Sequence, residues 1–133
     1  MRRYETTFIL RPGLGEAQFT EVIDRTVANI TDGGGSIISL QRWGMRRLAY
    51  DIGKERQGYY VHIDHAAAPA VVAEMERIFK IDDRVLRFLS IKVAERITTA
   101  QAEQEVIRVA ESRLQAERRA AEEAANPRDR DDD

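Results

Sequence analysis

Four strand-like runs and two helical stripes in the order β-α-β-β-α-β predict an α+β domain. It is a ferredoxin-like sandwich in which a four-stranded antiparallel sheet carries two helices on one face. Three observations carry this. Two stretches space their apolar residues as one helix face requires. The stretches around them are rich in β-branched and aromatic residues or alternate in polarity. Turn-forming residues mark most changes of period. Two right-handed βαβ crossovers then bring both helices to one side of the sheet and leave the other side bare.

Residues 3–10, Arg-Tyr-Glu-Thr-Thr-Phe-Ile-Leu, form the first strand, which Arg11-Pro12-Gly13 breaks. From Glu16 to Asp32, Phe19, Val22, Ile23, Val27 and Ile30 make one apolar helical stripe. Gly33-Gly34-Gly35 ends it, because glycine adopts the left-handed conformation that helix C-termini favour. Ser36–Ile52 and Tyr59–Ala66 are the arms of a long hairpin with a polar tip, Gly53 to Gly58. In the second arm Tyr59, Val61 and Ile63 face the core, and Tyr60 and His62 face outward. Pro69 opens the second helix, whose stripe is Val71, Val72, Met75, Ile78 and Phe79. Val85–Val93 is the last strand. Its parity puts Arg87 and Lys92 on opposite faces and leaves open which face is buried.

This accounts for residues 1–96 as one domain. Residues 97–133 change composition to alanine, glutamate, glutamine and arginine, which predicts a marginal helix with a narrow stripe followed by a solvated acidic tail. The formal charge of −2 conceals an asymmetry: residues 98–133 hold six arginines and ten acids, so residues 1–97 carry a net +2. The acidic whole-chain balance therefore does not argue against a nucleic-acid partner for the domain. The chain has no cysteine, which excludes disulfides, thiolate metal sites and cysteine nucleophiles and favours a cytoplasmic setting. No run of about 18 apolar residues is present, and the first residues lack the apolar stretch of a signal peptide.

Enzyme chemistry finds little support. His62 and His65 are the only histidines and, three apart on a strand, point to opposite faces, so no metal is expected between them. The triple glycine follows a helix and cannot cradle a phosphate at a helix N-terminus. Acylphosphatases share the fold class, but the strand asparagine their site needs is absent. No cofactor is expected. Nucleic-acid binding is better supported. Arg2, Arg3, Arg46, Arg47, Lys54, Arg56, Arg87 and Lys92 all lie on strands or strand ends, and arginine donates paired hydrogen bonds to phosphate. Tyr4, Trp43, Tyr50 and Tyr60 offer rings. The bare face, carrying Ile9, Tyr60 and His62, is apolar enough to take a protein partner. A protein-only regulatory module that dimerises through this face is the alternative.

The blocks Met1-Arg-Arg-Tyr-Glu, Trp43-Gly-Met-Arg-Arg-Leu-Ala-Tyr-Asp-Ile-Gly-Lys54, Gln57-Gly-Tyr-Tyr60, Arg84-Val-Leu-Arg87 and Lys92 resemble the family of bacterial ribosomal protein six of the small subunit, over residues 1–96. The resemblance implies a non-enzymatic ribosomal component that binds the central domain of the small-subunit ribosomal RNA beside ribosomal protein eighteen. It implies Arg2, Arg3, Arg46, Arg47, Lys54, Arg87 and Lys92 as RNA contacts, with Tyr4 and Tyr50 as flanking rings. Nothing carries over to the tail.

Overall fold

A computed structural model describes residues 1–125. The elements are β1 (Arg2–Leu10), a short 3-10 turn at Pro12–Leu14, α1 (Glu16–Asp32), β2 (Ser36–Ile52), β3 (Glu55–Ala67), α2 (Pro69–Ile81), β4 (Val85–Ala94) and α3 (Thr99–Ala125). The strands form one sheet in the order β2-β3-β1-β4, antiparallel throughout. This is the ferredoxin-like arrangement.

The sheet's alternation sorts its side chains. Even positions of β1 and odd positions of β3 face α1 and α2. Phe8, Leu10, Val61 and Ile63 join Phe19, Val22 and Ile30 of α1 and Val72, Met75 and Phe79 of α2 in the main core. The Phe8 and Phe79 rings meet at 4.8 Å. The parity of β4 is now settled: Phe88 lies opposite Phe8 and packs on the core, so Arg87, Leu89 and Ile91 face the other side. At the end of α1, Gly34 (φ +85) is the left-handed residue. The Gly35 amide donates to the Ile30 carbonyl and the Gly34 amide to that of Thr31, the paired bonds that close a helix this way.

Two expectations change. The hairpin tip is only Gly53-Lys54, because β3 begins at Glu55. Polar residues 55–57 lie on the strand, Glu55 opposite Ile52 and Gln57 opposite Arg47, without any apolar alternation to announce them. Second, the outer face is not wholly bare, because α3 lies over its β2 end. Thr98 and Gln101 cap α3 reciprocally: the Thr98 amide donates to the Gln101 side chain, and the Gln101 amide to the Thr98 hydroxyl. Ile97, just before the cap, packs with Ala102, Ile38 and Ala66 as a second small core, with Val109 at its margin. From Ala110 to Ala125 the helix is exposed along its length. The acidic tail expected beyond Asn126 lies outside the described residues.

A polar chain runs through the core side of the sheet. Thr6 Oγ1 lies 2.9 Å from both His65 Nε2 and Ser90 Oγ, and the His65 ring stacks on Tyr4. Burial pushes the His65 imidazole down to about 4. A histidine held neutral by the fold contributes stability that is complete above its unfolded value near 6.5 and is lost as pH falls toward 4. The loss should amount to about 3 kcal/mol across that window. Urea unfolding at pH 7.0 and at pH 4.5 should show it, and His65→Gln should flatten the dependence.

Candidate nucleic-acid interface

The candidate site begins where β1 stops. Leu10 pairs with Tyr59 on one side and Val85 on the other, and Pro12 has no amide with which to continue the ladder. Beyond that line β2 and β3 pair only with each other, as a two-stranded ribbon projecting from the sheet. Arg46 lies opposite Gly58, Arg47 opposite Gln57 and Ile52 opposite Glu55. Residues 48–51 therefore stand against Arg56 alone. This wide irregularity buries Leu48 and sends Tyr50 outward, 73% exposed. Gly53 (φ +60) supplies the positive angle a two-residue hairpin turn needs.

The ribbon is anchored at Gly58. A Cβ there would stand 2.2 Å from Ile9 Cγ2 and 3.4 Å from Leu48 Cδ2, so Ile9 and Leu48 both lie over the bare glycine backbone. This corrects the expectation for Ile9, which is buried under its own hairpin rather than open to a partner.

Arg46, Arg47, Lys54 and Arg56 on the ribbon form no ion pair among the described residues. The same holds for Arg87, which joins them at this end of the sheet in the row Gly44–Tyr60–Ile9–Arg87. Free guanidinium and ammonium groups on a strand ribbon suit backbone phosphates. Tyr60 and His62 lie half-buried on the same outer face. Trp43 and Arg56 complete this end, and the family resemblance did not single them out. Trp43 stacks on His62, and the Arg46 guanidinium sits over Trp43.

The remaining cations lie elsewhere. Arg2 pairs with Ala67, ten residues along β3 from the partner of Arg47, so the two ends stand about 33 Å apart. Arg2 and Lys92 both pair with Glu95. Arg3 donates two hydrogen bonds to the buried Asp64, at 3.0 and 2.7 Å, and a third at 3.0 Å to Glu105 of α3, which Arg108 also holds. These bonds keep the Arg3 guanidinium above its ordinary value, chiefly through Asp64. Tyr4 is 7% exposed on the core side, so its ring belongs to the core and not to the surface. On β4 the outer face exposes Leu89 (60%), Ile91 (51%) and Val93, an apolar stripe with no cover among the described residues.

Fold and ribbon together define a ferredoxin-like domain with a projecting basic hairpin. The model of the family "Ribosomal protein S6" matches residues 3–92. A small ribosomal subunit protein bS6 from Moorella thermoacetica is 41% identical over 71% of this chain and 97% of its own length. One from Desulfosudis oleivorans is 38% identical over the whole of this chain and 77% of its own length. The crystal structure of 30S ribosomal protein S6 from Thermotoga maritima superposes with a TM-score of 0.65 at 27% identity, over 68% of this chain and 86% of that one. The chain belongs to the ribosomal protein S6 family. It is thus a structural component of the small ribosomal subunit in the bacterial cytoplasm and not an enzyme.

Breaking the Arg3 cluster should loosen α3 and leave the ribbon intact. Asp64→Ala should cost about 2–3 kcal/mol, less than the full loss of a buried pair because Glu105 still holds Arg3. Chemical denaturation measures the cost, and limited proteolysis should cut α3 first.

Proposed function

We propose that this protein binds the central domain of the small-subunit ribosomal RNA through the β2–β3 ribbon, together with ribosomal protein eighteen. One observation carries the reading: the ribbon brings four cations that have no ion-pair partner among the described residues, Arg46, Arg47, Lys54 and Arg56, to one projecting element, with Arg87 beside its base. A two-stranded ribbon with free guanidinium groups can follow a phosphate backbone at a junction, and arginine forks fix orientation there. Tyr50 offers an exposed ring beside them.

Arg2 and Lys92 form a second basic region at the far end of the sheet, where a separate RNA segment would have to displace Glu95. Arg3, bound to Asp64 and Glu105, acts instead in holding α3 to the sheet. Protein eighteen takes the outer sheet face, where the Leu89–Ile91–Val93 stripe supplies apolar area across β1 from Tyr60 and His62. The same stripe is what a dimerising protein-only module would use. Family membership and the free ribbon cations favour the ribosomal reading.

Titration of the full chain into a central-domain RNA fragment, with and without protein eighteen, tests this. Binding should weaken with salt and strengthen with the partner. The double variant Arg46→Ala/Arg47→Ala should lower the slope of log affinity against log salt by about 1.4–1.8, the share of two phosphate contacts. Unchanged affinity and slope in a folded double variant would remove the ribbon from the interface.

A further inference from the structure

We infer that Trp43, His62 and Arg46 form a preorganised platform on which one unpaired RNA base stacks against the outer face of the Arg46 guanidinium. The inference rests on the RNA-binding reading and adds a base contact to the phosphate contacts proposed there.

The platform arises from a bulge. Arg42 lies opposite Val61 and Gly44 opposite Tyr60, so Trp43 is an extra residue in β2. Gly44 (φ +82) takes the left-handed backbone that this needs. In a regular strand residues three apart point to opposite faces. The extra residue restores Trp43 and Arg46 to the same face, where the Arg46 guanidinium carbon lies 5.0 Å from the indole centroid.

Each layer is fixed from below. The Trp43 and His62 rings are 5.1 Å apart and 4° from parallel. His62 Nδ1 lies 3.0 Å from Thr7 Oγ1, and the Trp43 indole N–H donates at 2.8 Å to the Gln41 side chain. Thr7 and His62 sit opposite each other on the two central strands of the sheet. The indole thus has the His62 ring stacked on it and the Arg46 guanidinium over it. The base takes the exposed Arg46 guanidinium, which carries no carboxylate among the described residues. Guanidinium planes and aromatic rings are the surfaces on which unstacked RNA bases are held, and prior ordering of the layers removes much of the entropic cost of binding. A fully paired helix presents no free base face to this site.

Trp43 is the only tryptophan, so its emission reports the stack directly. The full chain is titrated with an unpaired RNA oligomer and with a fully paired RNA duplex carrying the same number of phosphates. The oligomer should change Trp43 emission and the duplex should not. By filter binding, Trp43→Ala should lose more affinity for the oligomer than for the duplex, by up to the roughly 150-fold that one base–aromatic stack is worth, with the salt slope unchanged. Trp43→Phe should recover most of that loss. Arg46→Ala, at an exposed position, should lose oligomer affinity as well, and Trp43→Ala combined with Arg46→Ala should fare no worse than Arg46→Ala alone. Equal losses on oligomer and duplex, or no loss in Trp43→Ala, would overturn the platform and leave phosphate binding standing. Failure of the wild-type chain to bind either RNA would overturn both readings.

Discussion

The rest of the structure depends on the pairing of β1 with β3. β1 sits between β3 and β4, and its nine residues set both the sorting of faces and the line where the sheet ends. The Phe8–Val61 and Thr6–Ile63 pairs put even positions of one strand and odd positions of the other under α1 and α2. A one-residue slip would turn Phe8 and Val61 outward and send Ile9 and Tyr60 into the core. β1 also ends opposite Tyr59, so four residues of β3, Glu55 to Gly58, extend past it. The hairpin projects because its neighbour ends.

Isolated two-stranded ribbons are marginal in water. This one is held at its base by Ile9 and Leu48, which meet over Gly58, and by the Trp43–His62 stack on the outer face. Gly58 allows the contact because it has no side chain. The cations of the ribbon are thus presented by an element whose rigidity comes from apolar and aromatic packing. Ion pairs tie other elements together: Arg25 and Arg84 hold Asp82 to join α1 to the loop before β4, and Arg3 ties α3 to the sheet. The Arg84 and Arg25 hydrogen bonds keep the Asp82 carboxyl well below the usual carboxylate range. Among the described residues the ribbon cations lack ion-pair partners, whereas the cations that tie α1 and α3 in place are paired.

Strong periodicity in the sequence carried over well. The stripes of α1 and α2 and the alternation Tyr59–Val61–Ile63 all pack as their spacing requires. Weak or interrupted periodicity did not. Glu55–Gln57 looks like a turn because all three residues are polar, yet Glu55 and Gln57 pair across the hairpin with Ile52 and Arg47. Trp43 and Arg46 belong on opposite faces by simple parity, and only the Gly44 bulge brings them together. The docking of α3 rests on a capping box and two small contacts, Ile97 and Ala102, too few to stand out as a stripe. Ionic partners separated by 61 and 102 residues, as for Arg3, leave no local signature at all. That is why Arg3 and Tyr4 resemble surface contacts in the sequence and prove to be an internal clamp and a core ring.

The central claim is that the β2–β3 ribbon is the RNA-binding element. Amide hydrogen exchange of the full chain, free and bound to a central-domain RNA fragment, tests it most directly. The account predicts added protection at residues 43–58, with the amides of α1 and α2 unchanged. Protection confined to α3 or to the chain start around Arg2, with the ribbon exchanging as in the free protein, would contradict it.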